Sequence, residues 1–385
     1  MNWSVLPLLL AACVPDPLPP PNATATDEWD DKLAEREVDY SAAIRIAALR
    51  LTGELPTLVE IERIANAPDD AAKRSAYQDL VRAYIAGPRF TRQMFAFAKD
   101  TLRMGDEPNR PPRPDGTPRT PLDPAAAFVA QVIVDNRSYL ELLTATSGTC
   151  PTYDATTNQF TPGDCANGGP TVGLLTHPAM HEHFFGNLAF RRVRWVQETF
   201  ACTTFPAEMA EVPSDVNGAT PYTGKFPFTS ISGKASGGRV DFLSTSSVIC
   251  ANCHSNINHI APLFAHYDST GRYSATFAVP VPLPGEPSVE MRDYLPAGEG
   301  LAWRFGVPVT DMPSLGRAMA ADKAIAECAV ARVWNWAMGK ADVVDGGARV
   351  PAATIAEHVT AFVAGGHKLR EAMFRVFTSD DFVKF

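Results

Sequence analysis

The sequence has little positive charge: 34 Lys and Arg residues against 43 Asp and Glu residues give a formal net charge of −9. This balance argues against nucleic acid, and against an anionic membrane surface, as a binding partner, because both are themselves negatively charged. Charged residues make up only 20% of the chain, whereas hydrophobic residues make up 45%. The sequence therefore predicts a globular protein with a large core, and its length suffices for about two to three domains.

The N-terminal apolar run, Val5 to Ala12, is too short to span a bilayer. It ends in Leu10-Ala11-Ala12-Cys13, which matches the lipobox of bacterial lipoproteins. Met1 to Ser4 lacks the usual Lys or Arg, so an ordinary apolar N-terminus with a stray cysteine is the alternative. We expect export, lipidation of Cys13 and a stiff proline-rich tether from Pro15 to Pro21. Contact with a membrane is then expected only through the lipid.

Two of the seven cysteines stand in the motif Cys250-Ala251-Asn252-Cys253-His254. This pattern is the attachment motif of c-type haem. On one helical turn its three side chains share a face, so both thiols can bond the haem while His254 is the proximal iron ligand. A Cys-x-x-Cys pair also occurs in zinc sites and redox dithiols. The chain lacks a second Cys-x-x-Cys or His-x-His pair downstream, which would favour zinc.

Four further cysteines remain once Cys13 and the motif are set aside: Cys150, Cys165, Cys202 and Cys328. Their number is even, and an oxidising compartment would pair them. Cys150 and Cys165 flank a polar loop and are the natural local pair, which leaves Cys202 with Cys328. Free buried cysteines are the alternative.

Apolar residues recur with helical periodicity along the chain, and connections rich in Pro, Gly and Ser separate the periodic segments. Thr57 to Glu60 has the spacing of a capping box, and Ser314 to about Met338 is predicted as one helix. The sequence thus predicts a mainly α fold. The expected units are a signal and tether (1–27), an N-terminal helical domain (28–106), a proline-rich linker (107–123), a helical segment with a cysteine-bounded loop (124–235) and a haem domain with closing helices (236–385).

Several short segments follow one another along the chain: Arg50 to Thr57, Tyr84 to Phe90, Asp135 to Thr144, Gly173 to Ala179, Cys250 to Arg272, Ala326 to Gly339, and Leu369 to Phe382. Their content and order resemble the large bacterial cytochrome c families first described from planctomycetes and common among myxobacterial lipoproteins. The chain departs from that pattern at Ile257-Asn258-His259, where the families usually have Met-Asp-Pro. The resemblance implies one covalent haem c in a cytochrome-c-like unit, with long Pro- and Gly-rich loops and C-terminal helices.

The second axial ligand of the iron has several candidates: Met312, a histidine of the cluster His177, His181 and His183, or none, which leaves an open site. His259 follows His254 too closely to cross to the other face of the haem. Met312-Pro313 lies 58 residues after His254, a separation similar to that in small c-type cytochromes. The alternative is that Asp311-Met312-Pro313 only caps a helix. Met312 is the preferred second ligand, and a histidine such as His183 is the next candidate.

Arg191 and Arg192 are candidates for contacts with the haem propionates, and a surface with acidic partners is the alternative. We expect electron transfer by a single haem in the cell envelope of a Gram-negative bacterium, on a periplasm-facing or surface-exposed lipoprotein. The sequence does not name the redox partner. The alternatives are a haem-dependent periplasmic oxidoreductase or peroxidase-like enzyme with His181 or His183 as base, and an envelope scaffold with a structural haem.

Overall fold

The structure is a computed structural model, and it describes residues 35–104, 112–185, 189–203, 257, 259–275, 278–279, 289–290, 300–339 and 350–385. Fourteen α-helices account for most of the secondary structure in these ranges, and strands make up only 6%. The predicted mainly α fold is therefore confirmed.

The N-terminal part contains four helices: α1 (Tyr40–Thr52), α2 (Leu58–Ala65), α3 (Asp70–Ala86) and α4 (Pro88–Leu102). Local signals set their ends. The Asp39 carboxylate accepts the first free N–H groups of α1, and Gly53, with a φ of 78°, ends that helix. Thr57 and Glu60 form the predicted capping box of α2, and Pro88 opens α4.

The middle of the chain is less regular. It contains α5 (Asp123–Val134), the short α6 (Glu141–Thr144) and an antiparallel pair of strands, β1 (Thr152–Asp154) and β2 (Gln159–Thr161). A 3-10 turn (Gly173–Thr176) then leads into α7 (Pro178–His183), and α8 (Phe190–Phe200) follows. The α5 helix is hydrophobic nearly all round and packs on α4.

The C-terminal part begins with α9 (Ala261–Ala265). Two short antiparallel pairs follow: β3 (Ala278–Val279) with β4 (Val289–Glu290), and β5 (Ala302–Trp303) with β6 (Val307–Pro308). The last helices are α10 (Met312–Ala320), α11 (Lys323–Ala337), α12 (Ala352–Ala364), α13 (Leu369–Phe377) and α14 (Asp380–Val383).

The single helix predicted for Ser314 to Met338 is wrong. The chain breaks after Ala320, and the Asp322 carboxylate accepts the N–H of Ala324 to start a second helix. Asp favours the N-cap over a helix interior, because its side chain competes for backbone N–H groups.

The buried hydrophobic residues form one cluster that runs from Ala43 to Val383. The α13 helix packs against α3, α11 and α12, and the Tyr77 hydroxyl on α3 donates to the carbonyl of Phe377. Segments that the sequence separates into N-terminal, middle and C-terminal units thus share their core. Among the described residues, no helix is both long enough and apolar enough to cross a bilayer.

Candidate functional site

The residues of the haem motif, Cys250, Cys253 and His254, lie outside the described part of the chain, as does Cys13. The structure does describe most of the segment that follows the motif. Its residues from 257 onward are largely buried and apolar, namely Ile257, Ile260, Ala261, Leu263, Phe264 and Tyr267. This segment contains α9 and ends in a turn at Asp268 to Arg272.

Arg192 on α8 anchors that segment. It is 1% exposed, and its guanidinium donates to four backbone carbonyls. Nε and Nη2 donate to the carbonyl oxygen of His181 at 2.9 and 2.6 Å. Nη1 donates to the carbonyl oxygens of Phe264 at 2.9 Å and Tyr267 at 2.6 Å. Nη2 also donates to the carbonyl oxygen of Asp268 at 2.7 Å. Burial lowers the pKa of Arg192 to about 9, which leaves it charged at neutral pH. It thereby ties α7 to the end of α9 and to the start of the turn that follows.

This arrangement corrects the expected role of Arg192. A guanidinium has five N–H groups, and all five of Arg192 are used on carbonyls. None remains to bind a haem propionate. Arg191 is exposed, its guanidinium carbon lying 5.8 Å from the ring centre of Phe184, and it remains a candidate for such a contact.

His181 is fully buried, and its backbone carbonyl is the one that accepts two N–H groups of Arg192. Its ring stacks on Tyr267 with centroids 3.7 Å apart, and Nε2 lies 3.0 Å from the carbonyl oxygen of Leu175. Burial, together with the charge of Arg192, lowers the pKa of His181 well below its ordinary value. The ring is therefore neutral, with its proton on Nε2, where the carbonyl accepts it. Nδ1 keeps a bare lone pair that has no hydrogen-bond partner.

His177 uses both ring nitrogens. Nδ1 accepts the N–H of Ala179 at 3.1 Å, so the ring caps α7, and Nε2 lies 3.2 Å from Cys150 Sγ. Burial lowers the pKa of His177 to about 3, and a hydrogen bond to the Thr149 backbone only partly offsets this. Of the three clustered histidines, His183 alone is partly exposed, with its ring edge-on to Phe184.

Met312 is the first residue of α10 and is 4% exposed. Asp311 caps the helix through the N–H of Ser314 at 2.7 Å, so this tripeptide does cap a helix. The cap uses Asp311 and leaves the Met312 thioether within the core. Two backbone hydrogen bonds connect the chain just before α10 to the segment after the motif. The Val309 N–H donates to the Leu301 carbonyl, and the Ala302 N–H donates to the His259 carbonyl, each at 3.1 Å.

Both expected disulfides are present: Cys150 is bonded to Cys165 and Cys202 to Cys328. The ligand-type atoms of Cys150, Cys165 and His177 all lie within 4.8 Å of one another. While the sulfurs are joined they are not thiolates, and only thiolates bind metal strongly. The contact with His177 was not anticipated, because the two residues are 27 positions apart and no sequence motif joins them.

The residues at 112–123 are part of the packed structure. Arg113 donates to Glu182 of α7 at 2.5 Å, Arg119 lies 3.4 Å from the same carboxylate, and the Thr120 N–H donates to it at 2.6 Å. The Glu182 side chain is only 2% exposed. This buried ion cluster holds the end of the expected linker on the helix that carries His181 and His183.

Comparison of the chain with protein-family models, with curated proteins and with solved structures finds no match in any of the three.

Proposed function

We propose that this chain is an exported c-type cytochrome lipoprotein that holds one covalent haem and transfers electrons in the cell envelope. The observation that carries the proposal is the Cys250-Ala251-Asn252-Cys253-His254 motif, after which the described residues from Ile257 onward are largely buried and apolar. Cys250 and Cys253 would form the thioether bonds, and His254 would be the proximal ligand. The resemblance of the chain to planctomycete-type cytochrome c families supports the same reading.

The described residues after the motif are of the apolar type that a haem pocket needs. A haem needs a largely apolar wall that excludes water, because burial and low polarity keep the iron environment fixed and influence its potential. Ile257, Ile260 and Phe264 are 5% exposed or less and supply apolar surface of this kind. When bound, the haem iron supplies a one-electron couple. The Arg192 bonds keep the backbone of α9 in place, which is what a fixed iron environment requires.

Met312 is the preferred distal ligand. Its side chain is buried, and the backbone bonds through β5 bring the start of α10 towards the segment after the motif. His177 is a poorer candidate, because both of its ring nitrogens have partners. His181 could offer only Nδ1, because its Nε2 donates to the Leu175 carbonyl. His183 remains the alternative among the histidines.

Of its two candidate bases, His181 and His183, the enzyme reading keeps only His183. It needs a base that can accept a proton, and the pKa of His181 lies well below its ordinary value because of burial and Arg192. Such a group is a weak base at neutral pH. Electron transfer, which needs no base, is therefore the function we favour.

The proposal is tested by the mass and spectrum of the full-length protein made with the bacterial haem-attachment machinery. We expect the mass of one haem to remain after denaturation, and to be lost when Cys250→Ala and Cys253→Ala are combined. The matched control is the double variant Cys150→Ala and Cys165→Ala, which should keep the haem. An unmodified polypeptide mass in the parent protein would refute the proposal.

The distal ligand is tested in the same preparation. With Met312 bound, the ferric protein should show a weak sulfur-to-iron band in the far red, and Met312→Ala should abolish it. Met319→Ala removes another buried methionine of α10 and should leave the band unchanged. If Met312→Ala has no effect on the spectrum, Met312 is not the ligand.

A further inference from the structure

The Cys150–Cys165 disulfide has a hydrogen-bond donor at each sulfur. His177 Nε2 lies 3.2 Å from Cys150 Sγ, and the Thr149 hydroxyl donates to Cys165 Sγ at 3.4 Å. Because Nδ1 of His177 accepts the N–H of Ala179, the proton of the neutral ring is on Nε2, where Cys150 Sγ and the Thr149 backbone share it. Both residues that provide these donors are buried, each with 1% of its surface exposed.

Such donors favour the reduced form. A disulfide sulfur is a weak acceptor, whereas a thiolate is an anion that binds N–H and O–H groups strongly. Donors fixed beside the sulfurs therefore stabilise a thiolate more than the disulfide. They also make that sulfur a better leaving group, because a thiolate of lower pKa leaves faster.

The second disulfide has a different environment. Cys328 is 2% exposed, and its sulfur lies 3.6 Å from the Thr199 carbonyl oxygen, which cannot donate. The buried guanidinium of Arg332 directs its Nε–H to that same oxygen. Cys150 and Cys165 are both partly exposed, so an external thiolate can approach either sulfur, whereas in the second pair Cys202 is partly exposed and Cys328 is buried. Exposure and stabilised thiolates are the features of labile disulfides.

We propose that Cys150–Cys165 is a redox-active disulfide that exchanges with an external dithiol, with His177 stabilising the Cys150 thiolate. One thiolate of the dithiol attacks Cys165 Sγ, the bond between the two cysteine sulfurs breaks, and Cys150 leaves with the electron pair beside His177 Nε2–H. The second thiol of the reductant then attacks the mixed disulfide and releases Cys165. The dithiol becomes a disulfide, and Cys150 and Cys165 gain two electrons and two protons. This proposal does not depend on the haem.

The test is a redox titration of the full-length protein at pH 7 in mixtures of reduced and oxidised dithiothreitol. Acid quenching, alkylation and peptide mass spectrometry then report each cysteine pair separately. We expect Cys150–Cys165 to be half-reduced at a ratio of reduced to oxidised dithiothreitol that is about 10-fold or more below the ratio that half-reduces Cys202–Cys328. A 10-fold change in this ratio corresponds to about 30 mV for a two-electron couple.

Two variants isolate the donors. His177→Asn keeps a side chain that can cap α7 but removes the imidazole N–H. We expect it to move the midpoint of Cys150–Cys165 about 10-fold towards stronger reductant, the size of one hydrogen bond to a charged group. Thr149→Val, of similar shape, should move it in the same direction by less. Circular dichroism and an unchanged midpoint of Cys202–Cys328 show that the fold is intact.

The proposal is overturned if Cys202–Cys328 is reduced first or at the same ratio in the parent protein, a comparison that needs no variant. It is also overturned if a folded His177→Asn protein keeps the parental midpoint.

Discussion

The four N-terminal helices and the region around α7 to α9 are held together in different ways. In α1 to α4, caps lie next to the helices they cap, and many separate apolar side chains supply the packing. Around α7 to α9 the helices α7 and α9 are short, and a few buried polar groups make the connections: Arg192, Glu182 and His177. The first arrangement spreads its stability over many weak contacts. The second concentrates it in single residues, and it lies next to the segment that follows the haem motif.

The largest effect is expected from Arg192→Met. The variant fills similar volume but removes the donor from the buried carbonyls of His181 and Tyr267 and from the partly buried carbonyl of Asp268, while the Phe264 carbonyl keeps a bond from the Tyr267 N–H. An unsatisfied buried acceptor costs about 1–3 kcal/mol, so we expect a loss of at least about 4 kcal/mol. Urea unfolding measures it, with Arg191→Met at the neighbouring exposed position as control, where we expect a change below about 0.5 kcal/mol. Similar losses for the two variants would contradict the role given to Arg192.

The second effect concerns the two disulfides. Cys202–Cys328 closes a loop with a sequence separation of 126 and joins the end of α8 to α11, whereas Cys150–Cys165 spans 15. Because a disulfide restricts the unfolded chain more when its loop is longer, replacing Cys202 and Cys328 with alanine should lower the free energy of unfolding by about 4–5 kcal/mol. Replacing Cys150 and Cys165 should lower it by about 3 kcal/mol. Denaturant unfolding of the two double variants compares them directly. A greater loss from Cys150→Ala with Cys165→Ala would show that the local pair matters more than loop length implies.

The third effect is a dependence on pH. In the folded protein burial holds the pKa of His177 near 3, whereas the unfolded chain has an ordinary value near 6.5. The unfolded state therefore binds the proton first as pH falls, so the contribution of His177 is complete above about pH 6.5 and is lost between there and about pH 3. At pH 5 the loss from this residue should be about 2 kcal/mol relative to pH 7.

The measurement is urea unfolding of the parent and of His177→Asn at both pH values. The variant should lose less stability on acidification than the parent does. His181, whose pKa is lowered in the same direction, contributes in both proteins and nearly cancels in the comparison, because His177 is the smallest of the causes that lower its pKa. Equal losses in the two proteins would rule out His177 as a source of acid sensitivity.

The smallest effect belongs to the N-terminal helices. Thr57→Ala removes the cap of α2 and should cost about 1 kcal/mol, while Thr57→Ser keeps the hydroxyl and should cost much less. Thermal unfolding of the two variants is sufficient to separate them. A loss from Thr57→Ala as large as that from Arg192→Met would remove the contrast between the two regions.

The same contrast explains what the sequence could predict. The Thr57–Glu60 capping box was predicted correctly, because its signal lies within four neighbouring residues. The disulfide pairs could be expected, because only four cysteines remained to be paired. The role of Arg192 could not, since its carbonyl partners on the α9 side lie 72–76 residues away and every residue has a carbonyl. The break before Asp322 was missed because helical periodicity continues on both sides of it.

Residues 37–39, near the start of the described ranges, pair with residues 383–385 as two short antiparallel segments. Glu37 and Phe385 exchange backbone hydrogen bonds of 3.1 and 2.9 Å, and Asp39 N–H donates to Val383 at 2.9 Å. Because the segments are antiparallel, residues 37 and 385 lie together at the outer end of the pair. Tension applied between these two points would load the bonds one after another, as in unzipping, rather than all together in shear. This junction is therefore mechanically weak along that direction, and it would open before the helices behind it.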